Sequence, residues 1–174
     1  MGVGGEISLK EILSPFSLAL SQGENLNEVL RKDPSSSLLE DYVQRVRTNI
    51  EEALSEGFDG IIYVLRGAEP SLSSPMQYGG HFLEHDRALL EEFKEARLNV
   101  LVIVGGEGTF LDFVSDLPAH VFAWDVVATG YPVADLRLLR TGALATSDSS
   151  TEFYWPAESS RKLSTMEKIA LGTF

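Results

Sequence analysis

The sequence has 174 residues, 44% of them hydrophobic, with a formal net charge of -12 and no cysteine. That length and apolar share support one domain with a packed core and leave no room for two ordinary ones. The charge argues against nucleic acid and anionic membrane surfaces as partners, and the lack of cysteine excludes a disulfide framework and a thiolate metal site. The first residues, MGVGGEISLKEIL, have no basic start followed by an apolar core, so no signal peptide is expected. No apolar run nears the ~20 residues needed to span a bilayer, and a cytoplasmic location is the expectation.

Ser8 and Glu11 have capping-box spacing, which predicts a short turn or helix that Ser14-Pro15 then breaks. A short helix is expected from Asn25 to about Lys32, ending before Pro34. The clearest helix covers 37–56, where Leu39, Val43, Val46, Ile50 and Ala53 recur at three- and four-residue spacing. Ser37 and Glu40 suggest a capping box there, and Gly57 sits where a C-cap belongs. GIIYVLRG then reads as a buried strand. Residues 67–80, rich in Gly, Pro and Ser, read as a long loop. A helix from about Glu84 to Arg97 precedes the apolar strand NVLVIV, the loop GGEGT and a short helix through Phe110 and Phe113. HVFAWD is the next strand, Pro132 opens a further helix, and GALAT is a weaker strand. A last helical turn is expected after Ser164.

Helix and strand alternate, and IIYVL and VLVIV are unbroken apolar runs. Both point to an α/β fold with about four parallel strands and crossover helices. In such folds ligands bind at the carboxyl ends of the strands. The rule selects Arg66, then Gly105 to Gly108 with Glu107, then Trp124 and Asp125, then Ser147 and Asp148. Each has a plainer reading. Arg66 could pair with Glu69 or Asp59 on the surface. Glu107 could complement a helix dipole, Trp124 could belong to the core, and Asp148 could shape a turn. Asp125 ends an apolar strand, where a carboxylate is costly unless it is paired or faces a cleft.

GGEGT lacks the third glycine of a dinucleotide loop and the lysine of a Walker loop, so a nucleotide site is not favoured. His81 and His85 are four apart and could share a helix face, but no HExxH pattern accompanies them. His120 begins a strand, at the end away from the expected site. No metal and no cofactor are expected.

The run from Ile12 to about Asp125 resembles the uroporphyrinogen decarboxylase family. The segments that carry the likeness are SPFSLAL with NLNEVLRKDP, IEEALSEGFDGIIYVLRGAE, and HDRALLEEFKEARLNVLVIVGGEGTFLDFVSDLPAHVFAWD. Their order resembles the later part of the family's eight-stranded β/α barrel. The likeness therefore implies one domain over 1–174 forming a partial TIM-type barrel, with a divergent tail over 147–174. The family's Arg-rich segment, its essential Asp and its C-terminal His segment have no counterpart here. Where the superfamily's corrinoid-linked methyltransferases carry a His-x-Cys zinc motif, this chain has Val102 and Val104.

Three readings follow from the resemblance. The first is a decarboxylase-like carbon–carbon lyase acting on a tetrapyrrole carboxylate side chain. In it, Asp125 is the catalytic residue, and Arg66, Glu107, Trp124 and Asp148 bind substrate. The second is a truncated, non-catalytic paralogue acting as a binding or interaction module. The third is a methyltransferase relative. A half-barrel also leaves strand edges and an apolar inner face open, so a homo-oligomer or a separate barrel half is the expected partner.

Overall fold

A computed structural model describes residues 7–148. Its framework is one parallel sheet of five strands: β1 (Leu9–Leu13), β2 (Gly60–Leu65), β3 (Leu98–Ile103), β4 (Val121–Asp125) and β5 (Ala143–Ser147). They lie side by side in chain order, β1-β2-β3-β4-β5.

The first strand is one more than the sequence led us to expect. LKEIL runs parallel to β2, with Leu9 opposite Gly60 and Leu13 opposite Val64. The Ser8 and Glu11 spacing is incidental, because the Ser8 amide donates to the Asp59 carboxylate at 2.9 Å instead of starting a helix. Ser14-Pro15 does not end an element. It starts α1 (Pro15–Ser21), where Ser14 caps the Ser17 amide and Pro15 occupies the first turn.

Then come α2 (Leu26–Lys32), capped by the Asn25 side chain, and α3 (Leu38–Ser55), which buries Leu39, Val43, Val46, Ile50 and Ala53 as the periodicity requires. Ser37 precedes α3 but makes no side-chain cap. Gly57 follows it in the left-handed region, φ 100°, which glycine adopts without a Cβ penalty. The stretch expected as a long loop contains α4 (Pro75–His81). Ser74 and Gln77 cap it reciprocally, a signal that the surrounding glycines and serines obscured. The next helix, α5 (Leu83–Glu92), stops at Phe93, short of Arg97. There the chain must already turn into the sheet, and the Arg97 amide bonds the Asp59 carbonyl at 2.9 Å. The remaining helices are short: α6 (Leu111–Val114), α7 (Val126–Thr129) and α8 (Val133–Leu139), the last with Pro132 at its N-cap.

Side chains alternate across the sheet. Ile61, Tyr63, Leu65, Leu101, Ile103, Phe122, Trp124 and Leu144 pack with the helices in the larger core. Ile62, Val100, Val102, Val121, Ala123, Ala143 and Ala145 form a second cluster on the other face. That second face is not the bare apolar surface expected of an open half-barrel. Val100, Val121, Ala123 and Ala145 have 0% exposure. The expected helical turn after Ser164 lies outside the described residues.

Candidate functional site

The carboxyl end of β2 is locked to α1 by two buried serines. Ser17 Oγ lies 2.8 Å from Ser14 Oγ, donates to the Val64 carbonyl at 2.9 Å and accepts from the Arg66 amide at 2.9 Å. Gly67 then turns the chain at φ 106°, pressed so close to Phe16 that a Cβ would fall 2.8 Å from its ring. The backbone of Arg66 is therefore fixed, while its guanidinium is not spent. Among the described residues it forms no ion pair with Glu69 or Asp59. Asp59 instead pairs with Arg97 at 3.7 Å. Arg66 Nε is buried without a hydrogen-bond partner.

Glu69, three residues on, is only 7% exposed. Its Oε1 accepts from Ser71 Oγ at 2.8 Å, and its Oε2 is buried without a partner. A Cβ added to Gly105 would lie 3.1 Å from that Oε2 and 2.3 Å from Thr109 Oγ1, so the loop after β3 rests against Glu69 and requires glycine. Thr109 Oγ1 closes this loop by donating to the Gly106 carbonyl at 2.6 Å. The Phe110 amide ties it to the Ala68 carbonyl at 2.7 Å. The ends of β2 and β3 thus bring together Arg66, Glu69, Gly105 and Thr109.

The other sequence-selected residues are placed less uniformly. Asp125 is half-buried at the end of β4, in register with Ser147 of β5. Its Oδ1 accepts from the Ala128 amide at 2.8 Å, so it caps α7. Glu107 and Asp148 are exposed at the ends of β3 and β5. Trp124 does not reach this rim. It has 0% exposure, sits on the helix side and donates from Nε1 to the Tyr131 carbonyl at 2.8 Å. Strand alternation separates it from its neighbour Asp125. His81 and His85 fall on different helices, α4 and α5. His120 sits at the opposite end of the sheet, its Nδ1 accepting from the Asn99 amide at 2.9 Å. Among the described residues no three His, Asp or Glu side chains gather as a metal site would require.

A second polar centre, with no signal in the sequence, lies away from the strand ends. Asp86 is buried on the helix side of β2. It accepts from Tyr63 Oη and Tyr78 Oη, each at 2.6 Å. Burial raises its pKa to about 6 despite the two phenol donors, which pull the other way. The same burial, with the carboxylate alongside, pushes both tyrosines well above their ordinary value. Glu69 could have been suspected from its place just after a strand in a Ser- and Gly-rich loop. The Asp86 centre had no such cue, since its three residues lie on three separate elements.

No protein-family model matches the chain, and no curated protein matches it.

Proposed function

We propose that the chain is a partial barrel of the uroporphyrinogen decarboxylase type that binds a carboxylate-bearing small molecule at the carboxyl ends of its strands. The observation that carries the reading is Arg66: a guanidinium at the end of an inner strand, its backbone pinned by Ser17, its Nε without a protein acceptor. A buried unpaired donor of this kind is costly and asks for an anionic partner. The sheet supports the barrel part. Its strands follow chain order without reversal, and the helices among the described residues pack with one set of alternating side chains. A doubly wound sheet reverses order at a switch point and carries helices on both faces. Two of the segments that carry the resemblance meet on this rim, one ending at Arg66 to Glu69, the other passing through it at Gly105 to Thr109.

In this reading the activity is that of a carbon–carbon lyase. Arg66 holds a side-chain carboxylate of a tetrapyrrole, and Glu107 and Asp148 flank the rim. Asp125 stabilises the positive charge that forms when a pyrrole carbon is protonated before carbon dioxide leaves. The test is anaerobic incubation with uroporphyrinogen, followed by chromatography for products with fewer carboxylates. Loss of binding in Arg66→Met with an unchanged melt is the expected companion result. Wild-type protein that binds the substrate without turning it over removes the lyase part. No binding removes the tetrapyrrole as the ligand and the lyase part with it.

A second reading, the non-catalytic module, is favoured by one observation: the Asp125 carboxylate is engaged in capping α7. Such a module would act with a second copy or a separate barrel half. Sedimentation equilibrium over a range of concentrations tests this, and a monomer throughout would remove self-association.

A further inference from the structure

The second unspent group on the rim is Glu69, which is more than nine-tenths buried, with one carboxylate oxygen bonded to Ser71 and the other to nothing among the described residues. A carboxylate out of water is stable only when its lone pairs are filled. Arg66 would fill them most simply, yet the two form no ion pair. Each backbone is fixed separately. The Arg66 amide is fixed to Ser17, and the Glu69 carbonyl accepts from the Leu72 and Ser73 amides at 3.0 Å. Two opposite charges are thus kept on one short loop, each lacking a partner for one buried atom.

We infer that Glu69 accepts from an amino group of the ligand, so that the site takes a small molecule carrying an ammonium together with the carboxylate held by Arg66. This rests on the carboxylate reading of Arg66 and not on the tetrapyrrole of the lyase reading, which carries no ammonium. The loop over Glu69 suits the task. Gly105 turns no side chain toward Oε2, and a Cβ at Gly106 would meet nothing within 4 Å. Oε2 itself is covered, so binding there requires this loop to move. Gly105, Gly106 and Gly108 give that segment wide backbone freedom. The Thr109 bond to the Gly106 carbonyl is the closure to be opened. A charge-assisted bond inside this site is then worth more than the same bond at the surface.

The experiment compares butyrate with β-alanine, 4-aminobutyrate and 5-aminopentanoate on the full chain, by calorimetry and by amide chemical shifts. At least one amino acid is expected to bind about tenfold more tightly than butyrate. It should shift the Ser71 and Gly105 amides where butyrate does not. Glu69→Gln should remove the preference and leave butyrate binding in place. If butyrate and all three amino acids bind alike, or if the preference survives in Glu69→Gln, Glu69 does not read the ligand and the inference fails while the Arg66 reading stands. If none of the four binds, the Arg66 reading fails and takes this inference with it.

Discussion

Tyr63 on β2 donates to Asp86 on α5 at 2.6 Å, and the carboxylate takes its other bond from Tyr78 on α4, so one fully buried acid joins a strand to two helices. Its pKa of about 6 lies above the ordinary value of 3.8. Between those values the folded protein binds a proton that the unfolded chain has released. Stability from this group is therefore fully present below pH 3.8 and is lost as pH rises through about 6. The size is on the order of 2–3 kcal/mol, at about 1.36 kcal/mol per unit. Urea denaturation across this range should show wild type losing stability relative to Asp86→Asn as pH rises. A constant difference between the two proteins would show that Asp86 does not titrate there.

Removing one phenol tests the same centre from the other side. Tyr63→Phe deletes a donor that lowers the Asp86 pKa. The pH-dependent loss should then move upward, and at pH 7 the variant should be less stable by about 1.5–3 kcal/mol, the range for a hydrogen bond to a charged group. An unchanged denaturation midpoint at pH 7 would contradict this.

Gly105→Ala should destabilise the protein by about 1–3 kcal/mol, since its Cβ would fall 2.3 Å from Thr109 Oγ1. Thr109→Ala removes Oγ1 and also Cγ2, which would lie 3.1 Å from that Cβ, so the double variant should recover part of the loss. Strict additivity in the double-mutant cycle would mean that the two positions do not meet.

Helix α3 and the inner strands were legible because burial imposes a period on them. Leu39 to Ala53 on α3 and the apolar runs of β2 and β3 are direct imprints of one-sided and two-sided packing. Strand β1 was not legible. LKEIL is an edge strand with Lys10 and Glu11 exposed, and its charges look like those of a turn. Helix α4 was hidden because PMQYGGH contains two glycines and a proline, and its start rests on one reciprocal cap. On the rim, the strand-end rule selected Arg66 and Asp125, and both stand at strand ends, since it depends only on where strands stop. It misplaced Trp124 because it selects positions and ignores which face a side chain takes. It missed Glu69 because the burial of a loop carboxylate depends on a second loop, the one at Gly105, packing against it.

Arg140 offers a test of the fold independent of the rim. Its Nη1 donates to the Ser115 and Leu117 carbonyls at 2.9 and 2.6 Å, and its Nη2 to the Ala119 carbonyl at 2.7 Å. The guanidinium also stacks 5.1 Å from the centre of the Phe122 ring. Burial lowers its pKa, with Asp116 opposing. Three carbonyls need a planar fork, which one ammonium cannot reproduce. Arg140→Lys should therefore cost at least ~2 kcal/mol in chemical denaturation. A change under about 0.5 kcal/mol, ordinary for a surface position, would show that the clamp contributes little.

Asp125 can be assigned by comparing two substitutions. As the N-cap of α7 its carboxylate accepts from the Ala128 amide. Asn keeps an acceptor oxygen and ranks with Asp as a cap, whereas Ala has none. Asp125→Ala should therefore lower stability by about 0.5–2 kcal/mol, while Asp125→Asn should stay much closer to wild type. The negative charge is a separate matter. If Asp125 also stabilises positive charge in a bound ligand, Asp125→Asn should fold normally and still lose uroporphyrinogen turnover or binding. Thermal melts of both variants beside that assay separate the two roles. An Asn variant equal to wild type in melt and in assay would leave Asp125 as a cap and remove it from the site.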